Sequence, residues 1–323
     1  MGIVVTAERE MELGLAQHRA ELVAHCYRMV GSYFEAEDLA QECLLRAWRG
    51  REGFDERRAS RRTWLYRIAT NLCLDTLRGR PRRPLPVGLG PASEDALAPL
   101  APSWEIPWLE PFPTGGSAAD PADVAVARSS LRLALIAAFQ TIPARQRAVL
   151  ILRDVLAFSA EETAAMLQTT VAAANSALQR ARERLGQLSI VDESLADANS
   201  DLGPIENYMH AFEHGDVDGI VKLLTDDVLL EMPPVNLWYL GVPNYRAFLS
   251  RVFDERGTSW RTVATQANGQ PAFAAYCRAS ATEYRLHTLQ VLEISAGRVR
   301  RNDVFADPRV LAGFDLAPVL PAG

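Results

Sequence analysis

"IPARQRAVLILRDVLAFSAEETAAMLQTTVAAANSALQRARERL", Ile142 to Leu185, decides how this chain is read. Pro143 suits the first turn of a helix. Ser159 with Glu162 makes the S-x-x-E pattern of a capping box, in which hydroxyl and carboxylate reciprocally satisfy free backbone N–H groups. The spacing predicts a short helix from Ala160 to Leu167, a turn at "QTT" and a second helix from about Val171. In that second helix Ala174, Ala177, Leu178, Ala181 and Leu185 line one face, leaving Ala172, Asn175, Ser176, Gln179 and Arg182 on the other. Ala164 and Ala165 are small enough to let two helices cross closely. This is a helix-turn-helix pattern, whose second helix can enter a DNA major groove by its N-terminal residues. A helical hairpin with no role on DNA shows the same periodicity.

A second helical stretch lies upstream, "RRTWLYRIATNLCLDTLRGRPRR", Arg61 to Arg83. Leu65, Ile68, Ala69 and Leu72 form a buried stripe, and Trp64, Arg67, Asn71, Asp75 and Arg78 share the other face. Arg57 to Arg83 carries nine arginines and one acid, Asp75, in a chain whose formal net charge is −6. Arginines release counterions from phosphates, an asparagine amide matches base edges, and an aromatic ring stacks on an unpaired base. A solvated helix face with Trp64 in the core is the alternative. Before it, "AELVAHCYRMVGSYFEAEDLAQECLLRAWRG" has apolar residues at helical spacing with a break at Gly31.

Composition marks the boundaries. Residues 84–124 are rich in Pro, Gly, Ala and Ser with no helical or strand period, which predicts a linker. The resulting units are 12–83, 125–190 and 203–310. The four cysteines, Cys26, Cys43, Cys73 and Cys277, show no metal-ligand spacing, so reduced thiols and no metal or other cofactor are expected. No long apolar run and no basic leader occur, so the expectation is a cytoplasmic protein without a membrane partner.

The two helical segments together resemble sigma-70-type factors. "AEDLAQECLLRAWRG…FDERRASRRTWLYRIATNLCLDTLRGR" is similar to their second conserved region and the Ile142–Leu185 stretch to their fourth. With no third region, the chain resembles the extracytoplasmic-function group. That resemblance implies core RNA polymerase as a partner, through its β′ clamp helices and β flap, and promoter DNA as a second. It implies Asp38, Gln41, Glu42, Leu45 and Trp48 as polymerase-binding residues. The unwound −10 element would meet Phe54, Arg61, Arg62, Trp64, Arg67, Asn71 and Arg78. The −35 duplex would be read by Thr170, Ala173, Asn175, Ser176, Gln179, Arg180 and Arg182. Gln168 stands where such turns more often have glycine, and a left-handed conformation there would cost about 1 kcal/mol more than with glycine.

Residues beyond 203 read as helices followed by strands near 260–267, 272–280, 286–295 and 298–306, with a helix near 243–255, an α+β unit with a curved sheet on helices. The order resembles the SnoaL-like cone, mostly through "YMHAFEHGDVDGIVKLLTDDVLLEMPP". The expected fold is thus multi-domain: two all-α sigma domains, then an α+β SnoaL-like domain. Its cone opening would be lined by Glu231, Met232, Trp238, Tyr239, Tyr284 and His287. Glu231 with His287 would be the pair for acid–base chemistry if the cone were an enzyme, and a small ligand is a further candidate occupant. The favoured expectation is a non-catalytic module regulating the sigma regions in cis.

The linker adds "WEIPWLEPFP". Trp104, Trp108, Leu109 and Phe112 are too apolar for a free tether and suit a docking segment, expected to anchor the terminal domain against the sigma regions. Two rival readings remain: a helix-turn-helix regulator that responds to a ligand without polymerase, and an isomerase or cyclase of the cone fold.

Overall fold

The computed structural model describes residues 14–15, 17–114, 131–187 and 203–322. Two compact units form, and their membership does not follow chain order. Described residues before Pro84 group with those from Leu133 to Gln187, whereas those from Pro84 to Arg132 group with the C-terminal segment. The expected linker therefore belongs with the terminal domain; its residues 115–124, and the boundary at 190–203, lie outside the described residues.

In the helical unit, α1 (Arg19–Val30) ends at Gly31, whose φ of 71° is left-handed and costs glycine nothing. α2 (Tyr33–Arg49) starts at Ser32, whose Oγ accepts from the Glu35 N–H, and α3 (Arg61–Thr76) starts at Ser60, whose Oγ accepts from the Thr63 N–H. Leu22, Cys26, Met29, Cys43, Leu65, Ala69 and Cys73 are buried among these helices. Each leucine removed from water there contributes about 1.5–3 kcal/mol. All four cysteines are free thiols, three buried and Cys277 half-buried.

The second half of this unit comprises α4 (Leu133–Thr141), α5 (Ala144–Leu150), α6 (Ala160–Met166) and α7 (Val171–Gly186), with one π turn over Ile151–Val155. Both bonds of the Ser159/Glu162 capping box form, at 3.1 and 2.9 Å. Gln168 adopts φ 51° in the turn between α6 and α7, a left-handed conformation without glycine's freedom. Arg147 of α5 ties the halves together. Its buried guanidinium donates to the Gln140 side chain at 2.6 Å, to the Ile142 carbonyl at 3.1 Å and to the Met29 carbonyl at the end of α1.

The C-terminal unit opens with α8 (Gly203–Glu213) and α9 (Val217–Val221), then β1 (Leu224–Glu231), β2 (Trp238–Leu240) and α10 (Val242–Arg256). Four long strands follow, β3 (Trp260–Ala267), β4 (Gln270–Arg278), β5 (Glu283–Ser295) and β6 (Arg298–Phe305), then α11 (Pro308–Leu311) and β7 (Val319–Pro321). The sheet order is β2-β1-β6-β5-β4-β3, with β7 beside β5. Among the described strands only β1 and β6 pair in parallel, and register shifts in the β1/β6, β4/β5 and β5/β6 pairs bend the strands into a curled sheet. Tyr208 and Phe212 of α8 pack on Phe273, with Phe253 and Trp260 edge-on to Phe212. The aromatic segment "NLWYLG" contributes the short edge strand β2.

Candidate nucleic-acid and polymerase interfaces

One face of α2 carries Asp38, Gln41, Glu42, Leu45 and Trp48, three and four residues apart. Asp38, Gln41 and Leu45 are exposed; Glu42 is half-buried, 2.7 Å from Arg46, and the half-buried Trp48 lies under the Arg51 guanidinium at 4.1 Å. Leu45 is 42% exposed, an unpartnered apolar side chain among polar neighbours.

The basic helix α3 divides its candidate residues differently from the helical projection. Trp64 is 8% exposed and stacks on Phe54 with ring centres 4.5 Å apart, so it sits beneath Phe54 rather than free in solvent. Its ring still borders a shallow pocket shared with Arg46, Gly53, Arg67 and Asn71. Arg67 and Arg78 are exposed, Arg78 beside Asp75 at 2.9 Å; the half-buried Arg61 pairs with Glu56 at 2.9 Å.

Part of α3's polar face is covered by the helix-turn-helix. The Thr63 hydroxyl donates to Glu162 at 3.1 Å, and the Asn71 amide reaches the Met166 carbonyl at 3.4 Å. Phe158 packs edge-on to Tyr66 at 5.2 Å, with the Arg62 guanidinium 4.6 Å above its ring. Just inside, the His25 ring bonds Thr70 at 2.9 Å, and burial, with the Arg28 and Arg62 charges adding to it, lowers its pKa to about 3.

α7 remains open on its outer face. Thr170 caps the helix by accepting from the Ala173 N–H, and Ala173, Asn175, Ser176, Gln179 and Arg180 are all exposed. Arg182 is fixed by a two-pronged pair with Asp154 at 2.7 and 2.8 Å.

Three family models match, in order: "Sigma-70 region 2" over residues 15–83, "Sigma-70, region 4" over 132–185, and "SnoaL-like domain" over 205–302. The chain is 44% identical over 314 residues to the ECF RNA polymerase sigma factor SigG of Mycobacterium tuberculosis, covering 93% of this chain and 82% of that protein. The chain belongs to the ECF RNA polymerase sigma factors. It is 30% identical to SigJ of the same organism over 65% of this chain and 61% of that one. The crystal structure of SigJ shares its fold, with a TM-score of 0.65 at 24% identity, over 96% of this chain and 99% of that one. This sigma factor is thus a transcription initiation factor with regions 2 and 4 followed by a SnoaL-like domain.

In that last domain the cone interior departs from expectation. A cavity of about 260 Å³ is lined by Met232 and His287, but not by Glu231, Trp238, Tyr239 or Tyr284. Side chains alternate across a strand, so Leu230 and Met232 face the cavity and Glu231 points away. There Glu231 and Asp303 clasp the buried Arg301, Asp303 at 2.8 Å from it, and the Val87 N–H of the linker donates to Glu231 at 3.0 Å. Burial pushes Asp303 up to about 8; Arg301 opposes that shift and the Glu231 charge adds to it. The Trp238 ring N–H donates to the Gly90 carbonyl and the Tyr239 hydroxyl to the Asp95 carbonyl, both in the linker, while Tyr284 bonds Ser259 at 2.8 Å. The Glu231–His287 pair therefore does not assemble. His287 sits beside Trp260, and its pKa is lowered to about 4 by burial and the Arg256 charge. A different carboxylate, Glu255, borders the cavity, 2.8 Å from Arg251.

Sequence reasoning missed how the linker is seated. The Ser93 and Ser103 N–H groups donate to the Trp238 and Pro234 carbonyls. Phe112 and Asn268 exchange two bonds, at 2.8 and 2.7 Å. The segment doubles back on itself, with the Leu109 N–H donating to the Pro84 carbonyl at 3.0 Å. Trp108 and Leu109 are buried, Phe112 is half-buried, and Trp104 is 61% exposed at the cavity rim. Among the described residues no helix is long and apolar enough to cross a membrane, and no group of three metal-ligating side chains occurs.

Proposed function

We propose that this sigma factor acts in the cytoplasm. There it docks on the β′ clamp of core RNA polymerase through the Asp38–Trp48 face of α2 and captures the melted −10 strand with α3 and Phe54. It reads the −35 duplex with α7, region 4 also meeting the β flap, and the linker with the SnoaL-like domain sets its activity in cis. The observation that carries this reading is the asymmetry of the helical unit: the outer face of α7 is free while that of α3 is partly covered by α6. Elements at −10 and −35 are about 25 base pairs apart, which at about 3.4 Å each is about 85 Å of duplex. Helices packed side by side lie about 8–10 Å apart, so regions 2 and 4 must separate before both elements can be held. The arrangement of α3 against α6 is then a stored, inactive form.

A regulatory rather than enzymatic role for the cone is supported by its relatives being sigma factors and by the burial of Glu231 in an ion cluster outside the cavity. Run-off transcription with purified core polymerase tests the assignment. Full-length protein is expected to give promoter-specific transcripts, and Asp38→Ala/Gln41→Ala to lose them together with core binding. Undiminished transcription by that variant would overturn the docking face.

A further inference from the structure

The cavity of the C-terminal domain, about 260 Å³, is larger than the roughly 150 Å³ that accepts benzene and just under the roughly 300–1,000 Å³ of common small-molecule pockets. One or two carbon rings fill such a space, and a steroid or long acyl chain overfills it. Phe212, Leu230, Phe248 and Val304 make its walls largely apolar.

Among the described residues, one fully buried polar atom of the lining has no hydrogen-bond partner. Asn302 is 1% exposed, and its Nδ2 donates to Gln290 Oε1 and to the Tyr245 hydroxyl, both at 2.8 Å, with the Tyr208 hydroxyl at 3.3 Å. Both N–H groups of the amide are thereby used within the domain. Asn302 Oδ1 has no hydrogen-bond partner among the described residues, and Asn302 borders the cavity. A buried acceptor favours any occupant that brings a donor. The rim above is supplied by the linker, where Leu100, Pro102 and Trp104 border the cavity and Pro102 pairs with Val235 as a β-bridge.

We propose that this cavity binds a compact, mostly apolar alcohol or phenol, whose O–H donates to Asn302 Oδ1 and whose carbon body closes against Leu100, Pro102 and Trp104 of the linker. Occupancy would then fasten the linker to the domain. This binding concerns the cavity alone and holds whether or not α7 reads a promoter.

Isothermal titration calorimetry of the full-length protein with p-cresol and with toluene is the test. p-Cresol is expected to bind at least about tenfold more tightly, the discrimination a buried unpaired acceptor makes. Val304→Phe, which puts a larger side chain into the cavity, is expected to abolish p-cresol binding. Trp104→Ala, at an exposed position, is expected to weaken it severalfold. Equal affinities for p-cresol and toluene, binding that survives in a folded Val304→Phe protein, or no heat with either probe up to its solubility limit would each overturn the proposal. An unchanged Kd in Trp104→Ala would overturn the linker's share in it.

Discussion

Phe158→Ala should loosen the seal between regions 2 and 4. Phe158 is 5% exposed, edge-on to Tyr66 and under the Arg62 guanidinium. An aromatic pair contributes about 0.5–1.5 kcal/mol and a partly desolvated cation–π contact about 0.5–2 kcal/mol, so the truncation removes about 1–3.5 kcal/mol from the closed form. At 1.4 kcal/mol per factor of ten, that shifts the closed-to-open ratio by about fivefold to about three-hundredfold. Arg62 and Tyr66 lose that cover in the same step, while both keep their bonds to Glu21. The apparent Kd for a labelled single-stranded −10 oligonucleotide, read by fluorescence anisotropy, should fall by up to that factor, levelling off once the open form predominates. An unchanged Kd in a protein whose circular dichroism melt shows it folded would refute the idea that α6 masks α3.

Three further outcomes are expected. Because folding holds the His25 pKa well below the ordinary imidazole value, its stabilising effect is complete above about pH 6.5 and is lost as pH falls toward about 3, at up to about 1.4 kcal/mol per pH unit. Thermal melts should show that acid slope, and His25→Gln should flatten it. Gln168→Gly relieves the left-handed turn before α7 and should raise the melting temperature of the helical unit by a few degrees, corresponding to about 1 kcal/mol; a lower melting temperature would contradict the strain. Glu231→Ala leaves Arg301 short of a buried partner and should destabilise the terminal domain by about 3–5 kcal/mol, measurable by urea unfolding.

Much of this was legible in the residues, for identifiable reasons. The helix-turn-helix announced itself because α6 and α7 are amphipathic and closed by local signals, the Ser159/Glu162 box and the Thr170 cap. The strand at 260–267 was read to the residue. Trp64 was misplaced because angular projection sees only its own helix, and Phe54, ten residues earlier, covers it. The cone lining went astray for a reason the sequence did contain: Glu231 and Met232 are strand neighbours, as are Trp238 and Tyr239, and adjacent strand residues cannot share a face. The seating of the linker was illegible because it relies on backbone bonds at irregular intervals and leaves no period to detect.

The linker's partners come late in the chain. Val87 bonds Glu231, 144 residues away, and Phe112 bonds Asn268, 156 residues away. At roughly 5–20 residues per second of synthesis, the ribosome needs about 6–24 seconds to make the 120 residues from 203 to 322 after both sigma regions have been made. For that interval the nascent protein owns its helical domains but not the surface on which its linker rests. The cis control proposed for the terminal domain can therefore begin only after residues 203–322 have been made, and a ribosome that stalls or drops off after region 4 would release a factor outside it.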